Sequence, residues 1–241
     1  MTRLAVVNVS TLMNDDDAKT AWLAVKNQLY HHVAPLWGRK FIDVAFVPKG
    51  ATVPSDCFPI YLLDNPDVAQ ALGYHTEDPG GKVFARVFIE PVLANGGTAL
   101  SGALSVSAVL SHEVIEAFCD PNVNLWADKD EITQVAYESC DPCENDSYSV
   151  RSHDANGHEV KVSVSNFVLP AWFDPQAALS SRFDYLNRLK GPLTMSPGGY
   201  LIIRNTSTGV ISNIFGSRAG MEIHGALKPA HPAARSSRRA G

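Results

Sequence analysis

From Leu100 to Phe118 the chain runs through nineteen residues of which only His112, Glu113 and Glu116 can ionise. A helix of that composition is apolar around most of its circumference, so other elements must enclose it. Asn95-Gly96-Gly97-Thr98 breaks the chain ahead of it. Pro121 sets its limit, because the residue before a proline is biased away from helical geometry. Ionisable groups are rarely buried without partners. Three of them inside one buried helix therefore require partners from elsewhere in the chain.

Their spacing says what those partners serve. Positions i and i+4 lie one above the other on a helix face, so His112 and Glu116 can grip one metal ion together. Glu113 sits about 100° round the helix, where its carboxylate can act on water as a general base. This is the spacing of the HExxH zinc motif with glutamate in place of the second histidine. Zinc accepts such mixed sets, while the harder donor set also admits manganese, magnesium or calcium. A third ligand is needed, and the candidates rank as Glu138, then Asp120, then Asp141. Tyr137, Tyr148 and Tyr200 are candidates to stabilise a developing oxyanion, each with packing as its blander role. A helix whose His and Glu merely pair in a solvated groove is the structural alternative.

The flanking sequence has the elements to build a sheet around that helix. Residues 3–9 read as a first strand, and Asn14-Asp15-Asp16-Asp17 supplies an N-cap and first-turn acids for a helix over 17–36. Trp22, Val25, Leu29, Val33 and Leu36 form its apolar stripe. Strands are expected at 41–47, 57–63 and 82–93, with a short helix at 67–72. Beyond the buried helix, 148–151 and 159–164 suggest a hairpin around Asn156-Gly157. A second, closing hairpin is expected from 198–204 and 210–215. The organisation expected is α+β: an N-terminal subdomain over 1–120 ending in the metal helix, a smaller irregular, β-rich lobe over 121–226, and a basic, disordered tail over 227–241.

Composition narrows the partners. No apolar run reaches the roughly 18–20 residues of a membrane span, and the N-terminus reads as a strand rather than a signal peptide, so a cytoplasmic or virion-associated protein is expected. Four basic residues lie between Lys228 and Gly241, leaving sixteen basic against twenty-five acidic residues in the body. That balance argues against nucleic acid as a partner except through the tail. Four cysteines are too few for a disulfide scaffold, and Cys140-Asp141-Pro142-Cys143 is a lone pair, short of a thiolate zinc site.

The stretch Ser111-His112-Glu113-Val114-Ile115-Glu116-Ala117, with Asp120-Pro121 and Asn124-Leu125-Trp126, resembles the SHELAEAxTDP…W pattern of secreted bacterial and fungal peptidase-like proteins. It is also similar to the plant exordium-like proteins, in which an E-x-x-D-x-C-E segment recurs, matched here by Glu138, Asp141, Cys143 and Glu144. The resemblance covers about residues 110–148 and implies a zincin-like domain, with the acids after the helix in the same site. Zincin domains run strand, helix, three strands, then the metal helix, and this chain can be read in that order. The strand before that helix is then expected to be an exposed edge that binds an extended peptide. The leading expectation is thus a metallopeptidase or related hydrolase acting on a peptide or protein. Two alternatives stand beside it: a non-catalytic metal-stabilised protein, and a phage particle component adhering through Phe167, Trp172 and Phe173.

Overall fold

The computed structural model describes residues 3–68 and 71–216. The tail over 227–241 and the last ten residues of the expected second lobe lie outside them. The fold is mixed α+β, and among the described residues no helix is long and apolar enough to cross a membrane.

Strand β1 (Arg3–Asn8) buries both of its faces, which explains its unbroken apolar sequence. Helix α1 (Asp15–Gln28) starts at Asn14, whose side chain accepts the backbone N–H of Asp17 at 2.7 Å. The helix widens into a π turn at Leu29–Val33 before α2 (Ala34–Leu36). Pro35 accounts for the widening, since a proline has no N–H to donate and its ring crowds the preceding turn.

Strands β2 (Val44–Val47), β3 (Cys57–Leu63), β4 (Gly73–Glu77) and β5 (Val83–Phe88) complete a five-stranded sheet in the order β2-β1-β3-β5-β4. β1, β2, β3 and β5 run parallel, and β4 lies antiparallel on the outer side of β5. Three expectations change here. The run 82–93 is not one strand, because it turns at Ile89 into α3 (Ile89–Ala94), which carries Pro91 in its first turn. Asp67, Val68, Ala71 and Leu72 are not helical, and the chain continues from them into β4. The last strand before the buried helix is therefore interior, and the sheet's edges are β2 and β4.

The buried helix, α4, spans Val106–Cys119 and starts later than its apolar run suggests. Gly102 at φ +88° and the Ser105 cap, whose side chain accepts from the Ala108 N–H, hold the preceding residues in a loop. Its serines face inward: Ser111 Oγ donates to Gln28 Oε1 at 2.6 Å and accepts from Ser165 N at 3.0 Å, tying α4 to α1 and to the strand carrying Ser165.

The remaining chain forms a hairpin of β8 and β9 and a sheet in the order β11-β10-β7-β6, from β6 (Trp126–Asp128), β7 (Thr133–Ala136), β8 (Ser147–His153), β9 (Glu159–Ser165), β10 (Tyr200–Asn205) and β11 (Ile211–Phe215). β8 and β9 pack on α1 and α4, so one hydrophobic core extends without a break from Leu4 to Leu201. Phe167 and Trp172 are fully buried in that core and Phe173 nearly so. They form no adhesive surface.

Candidate metal centre

Two buried stretches meet on one side of α4. One is α4 itself, with His112, Glu113 and Glu116 all buried. The other is the segment Glu138 to Glu144, whose Asp141–Cys143 portion is a short 3-10 turn. Three bonds fix that segment. Glu116 Oε1 accepts the Cys140 N–H at 3.1 Å, Ser139 O accepts from Val168 N at 2.7 Å, and Pro142 O accepts from Ser196 N at 2.9 Å. Gly199 lies against the same turn, where a Cβ would stand 2.2 Å from Pro142 O. Only glycine fits there.

His112 is the hub. Its Nε2 lies 3.1 Å from Glu116 Oε2 and 3.2 Å from Asp141 Oδ1, while its Nδ1 lies 3.1 Å from Glu144 Oε2. Nε2 thus faces two carboxylates and Nδ1 a third, an arrangement that a proton or a metal ion on Nε2 must hold together. Donor atoms around an ion with bonds near 2.0–2.1 Å stand about 2.9–3.4 Å apart, and these separations fall in that range. A carboxylate on the far ring nitrogen is the usual orienting partner of a metal-binding histidine.

β4 supplies a residue that sequence reasoning missed. His75 Nδ1 lies 3.3 Å from Glu113 Oε2 and 3.4 Å from Glu116 Oε2, and its Nε2 lies 3.3 Å from Glu138 Oε2. No spacing rule ties it to His112, because an edge strand and a helix meet only in the folded chain. The local signal was Gly73-Tyr74-His75-Thr76, with aromatic and β-branched residues typical of a strand. Gly73 lets the strand lie flush on the helix: a Cβ there would come within 2.7 Å of Glu113 Oε1.

The expected candidates thus divide. His112, Glu116 and Asp141 converge, Glu113 and Glu138 meet at His75, and Glu144 backs His112. Asp120 joins none of these groups. Its two oxygens accept the backbone N–H groups of Asn124 at 3.1 Å and Leu125 at 2.9 Å, so it caps the turn after α4. Of the three tyrosines, Tyr200 borders the site, with its hydroxyl bonded to Asp141. Tyr137 stacks on Phe173 at 3.9 Å, and Tyr148 bonds Gln28 and His32. The Cys140 and Cys143 thiols are buried and held neutral by that burial, and Cys140 Sγ points at His112 O.

Electrostatics shows how tightly the carboxylates are crowded. Burial raises the Glu116 pKa to about 7, the Asp141 and Glu138 carboxylates adding to it and His112 opposing. Burial alone would strip the proton from His75, but the carboxylates of Glu138, Glu113 and Glu116 outweigh it and raise the pKa to about 9. Protons therefore occupy the cluster where a cation would relieve the same repulsion. Asp120→Ala is expected to cost about 0.5–2 kcal/mol by removing the cap from two part-buried N–H groups, yet to leave metal uptake unchanged. Chemical denaturation with metal analysis on the same sample checks both halves.

Comparison with protein-family models, with curated proteins and with solved structures finds no match to this chain.

Proposed function

We propose that the chain is a metal-dependent hydrolase, most simply a metallopeptidase on a zincin-like scaffold. The observation that carries the reading is the convergence of Glu116 Oε2 and Asp141 Oδ1 on one nitrogen of His112, with Glu144 on the other. Those three, His112, Glu116 and Asp141, would hold the ion, and the mixed nitrogen and oxygen set favours zinc, with manganese as the nearest substitute. Glu138, ranked first from the sequence, faces His75 instead.

When bound, such an ion supplies Lewis acidity and makes water acidic near neutral pH. Glu113 takes the proton of the attacking water and returns it to the leaving amine. His75 and the bare Cα of Gly73 fix where that carboxylate sits. Tyr200 holds Asp141 through its hydroxyl. A peptide is favoured as substrate because β4 is an edge strand lying directly against Glu113, and an extended peptide can pair with it.

The test is metal content by mass spectrometry on tag-free protein, wild type beside His112→Ala and Asp141→Ala. Bound zinc or manganese that falls by at least one equivalent in both variants is expected. Wild-type protein that stays metal-free after reconstitution would end the hydrolase reading.

A further inference from the structure

His75 is more than an orienting residue for Glu113. Its side chain is 5% exposed, and its two nitrogens have different surroundings. Nδ1 is hydrogen-bonded to Glu113 Oε2, whereas Nε2 makes no hydrogen bond although it is buried and directed at Glu138. With Nδ1 directed at Glu113, Nε2 faces a carboxylate oxygen 3.3 Å away. Either a proton on Nε2 or a cation between the two atoms holds that pair together, and a metal ion takes the proton's place. This repeats, on a second imidazole, the arrangement of His112, where Glu144 takes one nitrogen and carboxylates face the other.

We propose that the cluster binds two divalent cations, the second held by His75, Glu138 and Glu116. The inference rests on the metal-centre reading above and extends it. One donor atom from each of these three residues lies within 4.8 Å of the other two, and the same holds for His112, Asp141 and Glu144. The site proposed above on His112 and Asp141 also draws on Glu116, so that carboxylate is common to both sites. Glu116 lies between the two imidazoles, its Oε2 3.1 Å from His112 Nε2 and 3.4 Å from His75 Nδ1, the nitrogen turned toward Glu113. A carboxylate placed between two imidazoles is suited to bridge a pair of ions. The donor chemistry of the second site is one imidazole and two carboxylates, which selects zinc, manganese or ferrous iron over calcium.

The first experiment is equilibrium dialysis of the metal-free full chain against Zn2+, with wild type, His75→Ala, His75→Gln and His112→Ala compared. Wild type is expected to take up about two equivalents, and each variant about one. One equivalent in wild type, unchanged in the His75 variants, overturns the second site and leaves the His112 site standing. No uptake in wild type overturns both. Should the His75 variants fail to fold by circular dichroism, zinc-edge anomalous diffraction from loaded wild-type crystals decides. Two peaks flanking Glu116 support the proposal, and a single peak refutes it.

Discussion

Raising the pH from 6 to 9 is expected to lower the thermal midpoint of the metal-free protein by about 10 °C, while the zinc-loaded protein holds its midpoint. Two buried groups set the direction. The folded-state pKa of His75, about 9, lies above its ordinary value of 6.5, so the stability it contributes is complete below 6.5 and lost as pH rises through 9. Glu116 is raised from 4.5 to about 7, so its ionisation on the way up adds an uncompensated buried charge to the folded state. Across this window the folded chain binds more protons than the unfolded one, and stability must fall. The loss is on the order of 4 kcal/mol, and each kcal/mol moves the midpoint of a domain this size by about 2–4 °C. A bound cation replaces those protons, so metal uptake releases protons and tightens with pH. Melting curves in chelator and in zinc, across the pH series, make the comparison. A metal-free midpoint that rises or stays level would contradict the charge arrangement around His75.

The second large effect belongs to Glu113. Glu113→Gln is expected to reduce kcat/KM on a peptide library by about 10²–10⁴-fold, the usual contribution of a positioned general base. Bound metal should not change, because Glu113 belongs to neither triad and glutamine keeps an oxygen to accept from His75. Mass-spectrometric product analysis and metal analysis on one preparation separate the two quantities. Undiminished cleavage by the variant would leave the ion in a structural role and direct attention to binding partners.

The sequence exposed the half of this arrangement that is local. The helix with His112, Glu113 and Glu116 was legible because three ionisable groups stand out in an apolar run at one-turn spacing. The acidic segment after it was legible as a supplier of donors, but which acid lands where depends on the Cys140 N–H meeting Glu116 and on the turn at Pro142. Asp120 was misjudged for a related reason: a carboxylate next to a helix end is as useful to orphaned N–H groups as to an ion, and proximity in sequence does not choose between them. His75 was invisible. Its strand pairs antiparallel with a later strand, and nothing within Gly73–Glu77 records that Gly73 will rest on Glu113. The end of the strand expected over 82–93 is set in the same way, since β4 offers β5 only five residues to pair with and the chain then turns into α3.

The donors come from an edge strand near position 75, a helix at 112–116 and a turn at 138–144, and that turn is braced from Val168, Ser196 and, in the closing hairpin, Tyr200. No fragment ending before the closing hairpin contains everything that holds the site in shape. On the proposed metal-centre reading, ion affinity would therefore be an assembly gauge: it would develop only when distant parts of the chain have docked, and fade when the closing hairpin comes loose. A chain captured during synthesis, or clipped near Gly199, would retain the HExxE helix and lose its grip on metal.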